Sequence, residues 1–173
     1  MKIAITGGTN GIGKALLEHY VKKGHTVMDY SKRNGWDIIH HERIAERVAQ
    51  CDWFFNNAQQ GYAQTELLFG VYEHWQDKPG KKIINISSMM AGMTVSCLQG
   101  YDMLKYHHQK RTLESAVEVL RNKMTWPQLV TVRPGKVDTQ GEGGADVTAW
   151  VSKLVRILDE DQVGMEIYDI SLA

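Results

Sequence analysis

The chain has 173 residues, 43% of them hydrophobic, and 20 lysines and arginines against 20 aspartates and glutamates. That length supports one well-buried core and is short for two, so residues 1–173 are expected to form a single domain. The balanced charge gives no general pull toward nucleic acid or an anionic membrane, so neither is expected as a partner and any anion site has to be local. No apolar run approaches a membrane span, and the chain opens on "KIAIT" rather than on a basic start and an apolar stretch. A soluble, cytoplasmic protein is the expectation.

In chain order, short β-branched runs alternate with amphipathic stretches. Strands are predicted at "KIAIT", "HTVMDY", "CDWFFNN", "KKIINIS", "QLVTVRP" and "MEIYDIS". Helices are predicted over Gly13 to Lys23, His41 to Gln50, Gln64 to Gln76, Tyr101 to Met124 and Val147 to Leu158, where apolar residues recur at three and four. Gly24 stands where a C-cap belongs, and "WDI" reads as a short extra strand before the second helix. The alternation predicts an α/β domain of Rossmann type, a doubly wound parallel sheet between two helical layers. Cys51 and Cys97 show no metal-ligand spacing and are expected as free thiols. The adjacent pairs His40, His41 and His107, His108 diverge on a helix with no carboxylate or cysteine to complete a set, so no metal is expected.

Between the first strand and the first helix lies "TGGTNGIGKALL". Gly7, Gly11 and Gly13 allow a tight turn and close backbone approach, and the helix start aims free N–H groups and a positive dipole end at an anion. With these flanks the turn predicts binding of a dinucleotide pyrophosphate, with Thr9, Asn10 and Ile12 as further contacts.

The spacing Thr6 to Gly13, T-G-x-x-x-G-I-G, resembles the fingerprint of the short-chain dehydrogenase/reductase family, and further motifs stand in that family's order. "NNAQ", Asn56 to Gln59, resembles its N-N-A-G, with Asn56, Asn57 and Ala58 implied at the cofactor. "NISS" ends on Ser88, where the family's catalytic serine is found, with Ser87 as the lesser alternative. "VRPGKVDT" resembles the loop that closes over the nicotinamide, which implicates Pro134, Gly135, Val137 and Thr139. The resemblance implies a shortened member of the family, missing one helix between the second and third strands and most of the substrate lid after Thr139.

Two tyrosines each precede a lysine by four residues in "YDMLKYHHQK". The family's interval from serine to tyrosine favours Tyr101 with Lys105; Tyr106 and Lys110, one turn on, are then expected to be packed or solvated without a catalytic part. A phenol with its ordinary pKa of about 10 is ionised in roughly one molecule in a thousand near neutrality, so a cation one turn away is needed to make the phenolate accessible. The resemblance implies Tyr101 as general acid and base, Lys105 as that cation and a ribose contact, and Ser88 as the donor to the substrate oxygen. The family's catalytic asparagine is missing; Gln60 and Gln64 fall in its region and could carry a relay water.

An acceptor for the adenosine ribose belongs about twenty residues past the glycines, at the end of the second strand. The family's spacing puts Ser31 there, followed by Lys32 and Arg33, which suit a 2′-phosphate. NADP(H) is therefore favoured and NAD(H) possible, with Asp29 as the residue that would favour NAD(H). Asp37 and Ile38 of "WDI" are implied at the adenine. The expected activity is hydride exchange between the dinucleotide and a small carbonyl or alcohol; a dinucleotide-binding sensor is the competing reading. The aromatic helix with Leu67, Leu68, Tyr72 and Trp75, together with the helix after Tyr101, favours a homodimer or homotetramer.

Overall fold

Strands buried on both faces need apolar side chains pointing both ways, and the chain supplies them in strict alternation. In the computed structural model, which describes residues 1–123, 126–141, 143–160 and 169–172, β1 (Lys2–Thr6) has no exposed surface from Ile3 to Thr6. Ile3 and Ile5 enter one core and Ala4 the other. The same split recurs in β3 (Trp53–Asn56), with Trp53 and Phe55 opposite Phe54, and in β4 (Lys82–Ile86), with Ile84 and Ile86 opposite Ile83. That pattern is the period-2 signature of a sheet covered on both faces.

Together with β2 (Thr26–Tyr30), β5 (Gln128–Pro134) and β8 (Asp169–Leu172), these strands form one parallel six-stranded sheet in the order β2-β1-β3-β4-β5-β8. Helices α1 (Gly11–Lys22) and α5 (Val147–Glu160) cover one face through Leu16, Tyr20, Trp150, Leu154 and Leu158. Helices α2 (His41–Val48), α3 (Ala63–Trp75) and α4 (Tyr101–Arg121) cover the other through Ile44, Leu68, Trp75, Leu113 and Val117. The predicted doubly wound α/β architecture is what the chain adopts. Each fully buried leucine or isoleucine contributes about 1.5–3 kcal/mol over an exposed one, so the two cores rather than local propensity hold the layers.

Two expectations need adjustment. "WDI" is no strand: Asp37 accepts from the Ile39 amide at 3.2 Å and caps a short 3-10 turn over Ile38–His40 that leads into α2. Leu67, Leu68, Tyr72 and Trp75 are buried inside this chain's own core and are not available to a partner. The predicted last strand began at Met165; Met165 to Tyr168 lie outside the described residues, and β8 is described from Asp169. Gly24, at φ +81°, follows the end of α1 as expected of a helix terminator. In the region expected for a lid, only residues 139–144 separate the two-residue strands β6 (Val137–Asp138) and β7 (Ala145–Asp146), which pair in parallel.

The strand order changes direction at β1, with β2 on one side and β3, β4 and β5 on the other. The carboxyl ends of β1, β3 and β4 therefore open on one crevice, the place where sheets of this kind hold ligands.

Candidate active site

The crevice is floored by the glycine turn after β1. Gly7 and Gly11 have φ of +72° and +52°, which side chains rarely adopt. A Cβ on Gly13 would lie 2.2 Å from the Gly7 carbonyl oxygen and 2.7 Å from Asn57 Nδ2, so only hydrogen fits there. A Cβ on Gly11 would lie 3.0 Å from the Thr139 methyl, which brings the loop after β6 against the turn. Helix α1 then starts with no acidic residue in its first turn, leaving its positive end uncompensated. A bare backbone, a free helix start and a closing threonine fit a pyrophosphate.

Thr6 ties this turn to the next loop. Its hydroxyl accepts from the Asn57 and Ala58 amides at 2.9 and 3.0 Å, while Asn57 Nδ2 donates to the Thr6 carbonyl at 2.9 Å. Gly7, Gly11, Gly13, Asn57, Ala58 and Thr139, distant in sequence, thus come together. Asn56 itself is buried, donating to the Gln64 carbonyl at 2.9 Å and to Asn85 Oδ1 at 3.0 Å. It supports the loop from beneath rather than lining the crevice.

At the end of β2, the Asp29 carboxylate is committed inward. It accepts from the Gly8 amide at 2.9 Å, from Asn34 Nδ2 at 2.8 Å and from the buried Ser31 hydroxyl. Lys32 is drawn to Asp37 at 3.0 Å, and this contact with the Ile39 amide holds the Asp37 carboxyl below its ordinary range. Ile38 is buried in the core. Asp37 and Ile38 are thus anchored in the turn, and Arg33, two residues after Ser31, is exposed with no acid engaging it among the described residues.

The two tyrosine–lysine pairs differ sharply in their surroundings. Tyr101, the first residue of α4, is 78% exposed, and Lys105 is also exposed. Neither residue has a described contact with Ser88. Tyr106 is half-buried with its phenol toward the Ser88 side chain, which accepts from the Met90 amide at 3.2 Å. Lys110 is 2% exposed. Its Nζ donates to Gln64 Oε1 at 2.8 Å and to the Ile86 carbonyl at 2.9 Å, and lies 5.5 Å from the centre of the Tyr106 ring.

Burial raises the Tyr106 phenol above its ordinary value, partly offset by the Ser88 side chain. Burial pushes the Lys110 amine down to about 7, opposed by the carboxylate of Glu114 one turn further on. Such a phenol keeps its proton near neutrality and can give it up; the amine beside it can change charge in the same range. The alternative serine, Ser87, is occupied: its hydroxyl donates to Glu114 at 2.6 Å, and Arg133 grips the same carboxylate at 2.9 and 3.0 Å.

Two contacts escaped the sequence reading. Gln59, where the resembling motif has glycine, donates to Gln109 on α4 and closes one side of a cleft of about 410 Å3 shared with Lys105 and Tyr106. Of Gln60 and Gln64, the two glutamines that could carry a relay water, Gln64 meets Lys110 directly through its side chain. Among the described residues no cluster of metal-ligating side chains occurs, and no helix is long and apolar enough to cross a membrane.

No protein-family model matches this sequence, and no curated protein is similar enough to it to count as a match. Solved structures are similar over nearly the full chain. A 3-alpha-hydroxysteroid dehydrogenase from Pseudomonas sp. B-0831, complexed with NADH, superposes with a TM-score of 0.75 at 18% identity, covering 99% of this chain and 95% of that one. An alcohol dehydrogenase from the archaeon Thermococcus sibiricus, complexed with 5-hydroxy-NADP, gives 0.77 at 16% identity over 99% and 96%. A short-chain dehydrogenase from Sphingobium yanoikuyae in complex with NADPH gives 0.73 at 17% over 98% and 87%. With the sheet order and the glycine turn, these likenesses identify the fold of this chain as that of the short-chain dehydrogenases/reductases.

Proposed function

We propose that the protein is an NAD(P)(H)-dependent carbonyl reductase or alcohol dehydrogenase of the short-chain type, working through Ser88, Tyr106 and Lys110 rather than through Tyr101 and Lys105. The observation that carries this reading is the buried Lys110 at the carboxyl end of β4, held by the Ile86 carbonyl, with the Tyr106 ring beside it and that phenol toward Ser88. The dinucleotide would supply the hydride. Gly7, Thr9, Asn10, Gly11, Ile12 and Gly13 would hold its pyrophosphate, with Thr139 closing over them and Asn57 and Ala58 supporting from the β3 side. Pro134 ends β5, and Gly135 and Val137 of β6 lead on to Thr139.

Each side chain has one task. Ser88 donates to the substrate oxygen and stabilises the charge that grows there. Tyr106, kept protonated by burial, delivers its proton to that oxygen as it becomes an alkoxide. Lys110 steadies the phenolate left behind. Reduction of the carbonyl is the direction this protonation state serves best. NADP(H) is the favoured form, because Asp29 is used by the glycine turn and Arg33, two residues after Ser31, is left for a 2′-phosphate, with Lys32 held by Asp37 as a weaker contributor.

A homodimer is proposed through the outer face of α3 and α4. Phe69 and Val119 are 43% and 54% exposed there, along a groove of about 910 Å3. The experiment that tests the enzymatic reading is the loss of reduced-nicotinamide absorbance with a panel of ketones and aldehydes. Turnover with at least one supports it, and tight NADPH binding without turnover of any would instead favour a sensor.

A further inference from the structure

Lys110 is held by a partner whose own orientation is fixed. Gln64 sits in the first turn of α3, 3% exposed. Its Nε2 donates to the Asn56 carbonyl at 2.7 Å and to the Ile86 carbonyl at 3.0 Å, and its backbone carbonyl accepts from Asn56 Nδ2 at 2.9 Å. With both amide hydrogens spent on carbonyls, the amide cannot flip without opposing oxygen to oxygen, so Oε1 has to face Lys110 Nζ at 2.8 Å. The Ile86 carbonyl accepts from the same amine at 2.9 Å.

We infer that Gln64 is the positioning residue for Lys110: its locked amide and the Ile86 carbonyl take two of the ammonium's hydrogens and hold the amine beside Tyr106, leaving the third for a ligand in the crevice. This inference rests on the proposed pairing of Tyr106 with Lys110. A neutral clamp has a purpose that a carboxylate could not serve. A buried acid in direct contact would keep the lysine charged throughout the working range, whereas an amide fixes the amine's place and leaves its charge free to follow its other neighbours. Those neighbours are Tyr106 and Glu114, both from α4; α3 and β4 present only the Gln64 amide and the Ile86 carbonyl at the amine.

The test follows the Lys110 amine itself by NMR of lysine-labelled full-length protein without cofactor, its signal assigned by loss in Lys110→Met. Gln64→Glu puts a carboxylate where Oε1 was and is expected to raise the titration midpoint by about one unit or more; Gln64→Met removes the acceptor and is expected to lower it. Opposite movements are not what a merely structural glutamine would yield. If Gln64→Met fails to fold, Gln64→Asn, which keeps the amide but draws it back by one methylene, takes its place with the same expected direction. A midpoint unmoved in Gln64→Glu and in the folded member of the other pair overturns the inference. Failure of the underlying reading is seen separately, as full turnover in Tyr106→Phe whatever the Gln64 variants do to the amine.

Discussion

Tyr106 and Lys110 stand one turn apart on α4, with the lysine Nζ 5.5 Å from the centre of the tyrosine ring and only 2% of Lys110 exposed. A cation so enclosed carries a desolvation cost, and that cost has consequences measurable without any substrate.

The first is the pH dependence of stability. Burial lowers the folded-state pKa of Lys110 to about 7, below its unfolded value of about 10.4. Between these values the unfolded chain binds a proton at this site that the folded chain does not, so stability rises with pH across the window; below about 7 both states are protonated and the penalty is constant. Denaturant unfolding from pH 6 to pH 10 is expected to show this rise in the wild type and to lose it in Lys110→Met. Parallel curves for the two proteins would contradict the assignment.

Gly13→Ala tests the floor of the crevice. The added methyl would press on the Gly7 carbonyl and Asn57, so the turn has to shift. Overpacking of this kind costs about 1–3 kcal/mol. The expected result is a lower melting temperature together with loss of NADPH binding by fluorescence titration. Gly35→Ala, a positive-φ glycine with open space around its Cβ position, should lose stability and keep binding.

Arg33→Ala should weaken NADPH binding by about tenfold, in line with one charge-assisted contact of about 1.5 kcal/mol, and leave NADH binding within about twofold. Lys32→Ala should do less, because Asp37 already engages that lysine. Side-by-side titrations decide this, and equal losses for the two cofactors would remove Arg33 from the 2′-phosphate.

Phe69→Glu with Val119→Glu should convert a dimer to a monomer in light scattering while leaving the fold unchanged, since both side chains project from the outer faces of α3 and α4. A wild-type monomer at all accessible concentrations would exclude the proposed interface.

The architecture was legible because the two periods, two in the strands and three to four in the helices, are strong and the turns between them are marked by glycine. "TGGTNGIG" and "NNAQ" were legible for a similar reason: their constraint is on backbone, and backbone demands glycine or a small set of polar residues. The two tyrosine–lysine pairs could not be told apart by spacing. Both candidates have the same spacing, and the choice depends on where α4 first meets the sheet. Ser88 is followed by two short 3-10 turns, Met89–Gly92 and Val95–Cys97, and α4 then starts at Tyr101, so that counting from the serine reaches the exposed pair first. A better signal was present: Tyr106, Lys110, Leu113, Val117 and Leu120 follow one another at alternating intervals of four and three, which places the second pair on the same stripe as the buried core. "WDI" misled for a different reason, since three residues are too few for periodicity to separate a strand from a capped turn.

Side-by-side steady-state rates of Tyr106→Phe and Tyr101→Phe, on whichever carbonyl the wild type reduces, bear most directly on the chemistry. Removing the proton donor should lower kcat in Tyr106→Phe by about 10²–10⁴-fold with NADPH binding retained, while Tyr101→Phe stays within about threefold of wild type. The reverse ranking, with Tyr101→Phe inactive and Tyr106→Phe intact, would return the catalytic pair to the exposed first turn of α4.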